Sequence, residues 1–479
     1  GIINLRLIKD KSVGTNGTVN LGTSFSENAR YNGSLSLNHR NKNFNAYGSY
    51  NIFDGKNENN FFLTRELNGT RYSQINHGVY ENTNHGFKFG TDFFLNKNSA
   101  LGVLVNGNRS EGNNFSNANT NIEQISDGAI DSLLIASNDN LGKRNNTNFN
   151  INYAWRNDDG NSLTIDFDHG RYRNIGSSFQ PNTYYQPDAI TILQQRTFSN
   201  VTPTDIDIYT AKIDWEGNMW GGKVGIGAKS SNIKTDNTFD NFDIENGMYI
   251  KNIDRSNNFV YEEKVHAAYV SWQKQLSDKW NFMAGLRAEQ THSKGDLTSA
   301  KQTDSETVDR DYMNIFPSGG LTYKMDEQNS FRINYSRRID RPNYQDFNPF
   351  EFKLDELSFR KGNPFLTPQY SNSYGFSHTF KNTLNTSINY TVINDVSTQI
   401  TEALDEKSVV LTPINLAQQT NLAMTISYPF SIKEWWNVYA TLTGYRLHNE
   451  ANIEAKEIDL NYTCYKLLWS EYIHIAKRV

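Results

Sequence analysis

The sequence predicts an all-β fold, an antiparallel transmembrane barrel, and two observations carry that reading. The first is alternation. In Lys279–Glu289, the residues Trp280, Phe282, Ala284, Leu286 and Ala288 share one face, while Asn281, Met283, Gly285, Arg287 and Glu289 share the other. Side chains on a strand point to opposite faces with period two, so this segment has one apolar and one polar side. The pattern returns in Phe149/Ile151/Tyr153/Trp155, Leu163/Ile165/Phe167, Phe331/Ile333/Tyr335 and Leu384/Thr386/Ile388/Tyr390. Many such strands, apolar outside and polar inside, are what a membrane barrel requires. The second observation is rhythm: the connections between these stretches are short, then long, then short again.

About eighteen strands are expected from this rhythm. The short connections are Arg40–Asn43, Asn96–Ser99, Asn157–Asn161, Met219–Lys223, Leu276–Lys279, Lys324–Asn329, Lys381–Thr383 and Ser431–Trp436. Between them lie long polar segments, Gly55–Asn84, Ser110–Arg144, Tyr172–Asp205, Ile233–Asn258, Ser293–Arg310 and Ile339–Asn372. Loops of this length are uncommon in compact soluble domains. An up-and-down barrel with tight periplasmic turns and long outer loops produces them. No helical stretch stands out. The tryptophans agree: Trp155, Trp215, Trp220, Trp272, Trp280, Trp435 and Trp436 sit within a few residues of a short connection, and Trp469 does not. Trp favours a membrane–water interface, where its ring is apolar and its N–H is wet.

Composition bounds the alternatives. The chain has 479 residues, 37% of them hydrophobic, 13% aromatic, with a net charge of -5, and a mean hydropathy of -0.69. No segment reaches the ~18 consecutive apolar residues of a membrane helix. The charge is too mild to suggest nucleic acid. The single cysteine, Cys464, excludes an internal disulfide framework. Asn-rich triplets such as Asn68-Gly69-Thr70 read as turn chemistry. Neither a nucleophile elbow, nor a zinc-protease helix motif, nor a phosphate loop is present, and the nine His show no metal-ligand spacing. Gly221–Gly227 continues an alternating strand, Asp158-Asp159-Gly160 reads as a hairpin turn, and the acids of Asp240–Gly247 read as a solvated loop rather than a calcium site. No enzymatic activity and no cofactor are expected.

Around Asn314–Pro368 the sequence carries a set of short motifs. These are Phe316-Pro317-Ser318 before a strand, Tyr335-Ser336-Arg337-Arg338, Arg341-Pro342-x-Tyr344, Asn348-Pro349-Phe350 and Gly362-Asn363-Pro364-x-Leu366-x-Pro368. Together they closely resemble the barrel of TonB-dependent outer-membrane receptors of the Bacteroidota type. Gly1-Ile2-Ile3-Asn4-Leu5-Arg6-Leu7 resembles the last strand of that family's plug domain. The resemblance implies residues 1–10 as the end of a plug and 11–479 as the barrel. It also implies a twenty-two-strand parent, of which about four C-terminal strands would be missing, and a plug and TonB-contacting segment upstream of Gly1. The implied function is import of a scarce solute (siderophore, oligosaccharide or similar) across the outer membrane with TonB-supplied energy. The implied partners are outer-membrane lipid, TonB, the solute or glycan itself and a surface lipoprotein. A passive structural or adhesive barrel is the alternative, and a soluble secreted β-sandwich a more distant one.

Two groups of residues are candidates for a site. Pro342, Pro349, Pro364 and Pro368 punctuate a long loop and fix its path, with Gly362-Asn363 as a turn. Arg337, Arg338 and Arg341, beside Tyr344 and Asn348, either line the lumen or hold this loop through carboxylates such as Asp340, Asp346 or Asp355. The second group is Tyr172, Phe179, Tyr184 and Tyr185, in one long segment with Gln180, Asn182 and Gln186. Rings beside amides suit stacking and hydrogen bonding to a sugar or a metal chelate; packing of the segment on itself is the plainer reading.

Overall fold

A computed structural model describes residues 13–301, 306–355, 357–404, 408–453 and 456–473. The seven residues resembling a plug strand lie outside the described residues. Eighteen long strands run antiparallel in sequence order through one sheet. They are β1 (Gly14–Phe25), β2 (Ala29–Arg40), β3 (Phe44–Leu67), β4 (Thr70–Phe94), β5 (Ser99–Gln124), β6 (Ile130–Arg156), β7 (Ser162–Tyr185), β8 (Ile192–Met219) and β9 (Gly222–Glu245), then β11 (Asn257–Gln275), β12 (Trp280–Ser299), β13 (Glu306–Lys324), β14 (Asn329–Asp340), β17 (Gln369–Phe380), β18 (Leu384–Ala403), β19 (Val409–Lys433), β20 (Trp436–Ile453) and β21 (Lys456–Ile473). Three short strands complete the set: β10 (Met248–Lys251), β15 (Glu351–Asp355) and β16 (Ser358–Lys361). Among the described residues β1 and β21 are the two edges of the sheet and do not pair with each other.

All eight expected short connections fall at hairpin turns between these strands, at one end of the sheet. The opposite end departs from expectation. The long polar segments are not irregular loops; the strands themselves continue through most of them. β3 and β4 pair without interruption from Phe44↔Phe93 to Leu67↔Thr70, closing on Asn68 and Gly69 at φ 50 and 79. Both residues in the left-handed region make a type I′ hairpin, which Asn-Gly favours. β8 has 28 residues, whereas about 9–11 cross a membrane. The alternation fades in these outer halves because both faces meet water or polar neighbours.

Register across β12 fixes the two faces. Outward lie Trp280, Phe282, Ala284, Leu286 and Ala288, and then Gln290, His292 and Lys294. On β11 the change falls at the same level, Ala268 facing Ala288 and His266 facing Gln290, and on β13 one row higher, Ile315 and Met313 facing Ala288 and Gln290 before Asp311 faces His292. At about 2.6 Å of height per tilted residue, Trp280 to Ala288 spans roughly 21 Å, close to the ~25 Å apolar band of a barrel. Trp280 stacks on Tyr323 at 4.4 Å at the short-turn rim. Trp469, the one tryptophan without an expected place, lies opposite Ala440 on β21 and packs edge-on against Phe430.

The chain also holds one helical turn that the sequence did not announce, α1 (Tyr344–Phe347), inside the connection from β14 to β17. That connection, residues 341–368, folds back inside the curve of the sheet. It touches β4–β6 through Leu357, β9 and β11 through Phe347 and Phe350, and β19 through β16, which pairs with it in parallel. One segment can reach such widely separated strands only if the sheet curls around it.

Candidate functional site

The in-folded segment is held by the wall at four places. Arg341, just past the end of β14, donates to Glu289 Oε2 (2.8 Å) and Thr291 Oγ1 (2.9 Å) on β12. Glu289 is 7% exposed and also accepts from Arg287 Nε at 2.6 Å. Arg310 on β13 donates to the carbonyls of Pro364 (2.8 Å) and Leu366. Arg65 on β3 reaches across from another part of the wall to the Leu357 carbonyl (3.2 Å) and Ser358 Oγ (3.0 Å), its guanidinium over the Tyr72 ring. On the β19 side, Asn415 and Thr367 exchange two hydrogen bonds of 2.7 and 2.9 Å, and Asn363 donates to the Pro413 carbonyl at 3.2 Å. The bonds from Arg341, Arg310 and Arg65 are charge-assisted, and such bonds are about twice as strong as neutral ones like those of Asn415 and Asn363.

Apolar packing supplies the rest. Phe347, Phe350 and Leu366 pack with Phe239, Phe259 and Tyr261 of the wall, and Tyr344 lies against the same cluster. Leu357 inserts among Tyr72, Ile122 and Leu134, with Tyr184 packed on the edge. Gly362 has a steric reason rather than a turn: a Cβ there would collide with the Asn348 carbonyl and sit 2.8 Å from the Asp346 carbonyl. Asn363 N–H donates to that same Asp346 carbonyl at 2.7 Å, and Arg360 holds the Asp346 carboxylate at 2.9 Å. Pro368 is buried where the segment rejoins β17, and Pro342, Asn348, Pro349 and Pro364 are half-buried along it.

Electrostatics follow from burial beyond the apolar band. Burial pushes the Tyr344 hydroxyl up to about 12, with Glu263 adding to the shift. Burial raises the Glu263 carboxyl, which accepts from Tyr261 at 3.1 Å, although Arg341 opposes the shift.

The three arginines expected to act together do not share a face. Arg337 lies on the outward face, stacked 5.4 Å from the Tyr370 ring, by its register opposite Asn372. Arg338 takes the inward face. Arg341 alone bonds to Glu289, and not to Asp340 or Asp346; the Asp355 side chain lies outside the described residues. The four aromatic candidates separate in the same way, because their segment is a strand and not a loop. Tyr172 and Tyr184 point inward, Tyr172 donating to Asn148 Oδ1 at 2.9 Å; Phe179, 42% exposed, and Tyr185 point outward. Sequence reading missed Arg65 and Arg310, whose contacts lie 292 and 54–56 residues away along the chain. Among the described residues no group of His, Cys, Asp and Glu has the arrangement of a metal site; Asp240 instead pairs with Lys251 at 2.6 Å.

A family model described as "Outer membrane protein beta-barrel family" matches residues 156–477. No curated protein matches the chain. Among solved structures, the siderophore receptor PiuA from Acinetobacter baumannii is similar with a TM-score of 0.54 at 12% identity, over 94% of this chain and 66% of that one. The siderophore receptor PirA from Pseudomonas aeruginosa gives 0.55 at 11% identity, over 98% and 76%. The RagAB peptide importer gives 0.50 at 11% identity, over 90% and 51%. Identities this low establish the shared fold; the chain spans just under two thirds of PiuA.

Proposed function

We propose that this chain, which belongs to the outer membrane protein beta-barrel family and so resides in the bacterial outer membrane, is the wall of a receptor that imports a scarce solute with TonB-supplied energy. The observation that carries this reading is the segment 341–368, drawn into the lumen and clamped to β3, β12, β13 and β19. A segment anchored inside the wall narrows the passage and places side chains across it, which suits a receptor that must hold a solute before admitting it. The solved barrels named above, two siderophore receptors and a peptide importer, support the same reading through shared architecture. On this reading the parent is a Bacteroidota-type receptor with a plug and a TonB contact supplied upstream, and a surface lipoprotein is a candidate partner. The structural or adhesive barrel remains the alternative.

The test is genetic. Deleting the parent gene, and separately disabling TonB, should each abolish growth on a limiting solute, and the intact gene should restore it. Growth independent of both across a broad set of limiting carbon, iron and vitamin sources would favour the adhesive reading.

A further inference from the structure

On the inward face of β4–β8, above the apolar band, three glycines stand side by side. Gly112, Gly142 and Gly176 pair in register, with Asn82 before them on β4 and Thr202 after them on β8. Glycine in a strand interior weakens it and often marks a place where a ligand approaches the backbone. Here the row floors a cavity of about 440 Å³, within the range of small-molecule sites. A Cβ on Gly142 would meet nothing within 4 Å, so the space above that strand is open.

The next row up is nearly all amide and hydroxyl: Tyr80, Asn114, Asn140, Ser178 and Asn200, again in register. Asn200 is 1% exposed, donates to Ser178 Oγ at 3.1 Å and accepts from Asn241 at 2.5 Å. Several amide atoms on this face are buried and have no partner: Oδ1 of Asn114, Asn138 and Asn174, and Nε2 of Gln180, a residue only 3% exposed. Buried polar groups are normally paired, so such a set needs an explanation. None of the described lining residues is Lys or Arg, and the one acid, Glu81, faces outward by its register. Arg144, one row below, is exposed.

Thr202 also lines a second cavity of about 290 Å³, between Asn237 and Phe239 of the wall and Gln345 and Asn348 of the in-folded segment, where the one cation, Arg360, is held by the Asp346 carboxylate at 2.9 Å.

We infer that this glycine-floored trough binds a neutral, hydroxyl-rich ligand, a glycan, through the amides of Asn82, Asn114 and Asn140, with Tyr80 as the stacking ring and Asn200, bonded to Ser178 and Asn241, bracing the far side of the row. Amides both donate and accept, which matches vicinal hydroxyls; an anionic metal chelate would call for cations. The inference rests on the receptor reading and names the solute class for it.

The experiment is calorimetric titration of the full-length receptor in detergent with maltoheptaose, xylohexaose, mannohexaose and chitohexaose. A ferric catecholate complex and a neutral decapeptide serve as controls. At least one oligosaccharide should bind. Gly142→Phe fills the open space above the floor and should weaken that binding at least tenfold while keeping heat-modifiable gel mobility; Asn114→Ala with Asn140→Ala should do likewise. Three results overturn the inference: binding of a control and no sugar, no binding of any probe, or equal binding by wild type and Gly142→Phe. Its failure is separable from failure of the receptor reading. A TonB-dependent growth defect with no glycan binding leaves import standing and removes the sugar; glycan binding without TonB dependence does the reverse.

Discussion

Placing an arginine along the outward face of β12 should cost stability in proportion to its depth in lipid. Trp280 marks the short-turn rim and Ala288 the last apolar residue, with Gln290 and His292 beyond it. At roughly 2.6 Å per tilted residue, Ala284 lies ~10 Å above Trp280, near the midplane of a ~21 Å band. Leu286 lies ~16 Å up, about three quarters of the way across. Charged residues cost roughly 2–4 kcal/mol at the midplane and 0–1 near the interface. Ala284→Arg should therefore cost ~3 kcal/mol, Leu286→Arg ~2 and Gln290→Arg less than ~1. Arg287→Leu is the control on the opposite face. Arg287 is one-third exposed and shares Glu289 with Arg341, so its removal leaves that carboxylate bonded and should cost about 1 kcal/mol. The assay is urea-dependent unfolding of full-length protein in lipid vesicles, read by heat-modifiable mobility. A flat profile from 284 to 290, or an Arg287→Leu cost equal to that of Leu286→Arg, would refute the assignment of faces.

Four further outcomes are expected. Arg341→Ala should loosen the in-folded segment by roughly 1–3 kcal/mol, because a buried Glu289 loses a charged donor; protease access to residues 341–368 should rise with the barrel intact, and unchanged access would remove Arg341 as an anchor. Glu263 has a raised carboxyl, so its favourable contribution is present below the ordinary carboxylate range and lost as pH rises through its folded value; Glu263→Gln should raise thermal stability at pH 8 and barely change it at pH 4. An epitope tag at Asp188, in the turn from Gln186 to Thr191, should be reachable on intact cells and one at Gly160 should not; the reverse labelling inverts the topology. Tyr184→Ala should disturb the Leu357 contact and solute uptake, whereas Tyr185→Ala, on the outward face, should leave uptake unchanged.

What the sequence makes legible is set by which solvent each face meets. In the lower half of the wall one face meets lipid and the other the lumen, so Trp280–Ala288 alternates cleanly and its orientation can be read directly. The upper half has no lipid face. Ile175-Gly176-Ser177-Ser178-Phe179 is as much a strand as Leu163–Phe167, yet its composition looks like a loop, because nothing there requires every second residue to be apolar. Its hairpins were nevertheless marked: Asn68-Gly69 and Asn246-Gly247 both carry the left-handed pair of a type I′ turn.

The in-folded segment shows a different limit. Its prolines and its irregular course could be read in advance, since they act on the local backbone. Its anchors could not. Arg65, Glu289 and Arg310 look like any inward-facing charge until curvature brings them to residues 341–366. Gly362 illustrates the difference in one position. Beside Asn363 it reads as a turn glycine, but it has no positive φ; it is glycine because the Asn348 and Asp346 carbonyls leave no room for a Cβ. A Gly362→Ala substitution should therefore disturb this segment by steric contact alone, where a turn glycine would have tolerated Asn. Comparing Ala and Asn at 362 by protease access separates the two explanations: both should open the segment if packing is the cause, and Asn alone should spare it if backbone conformation is.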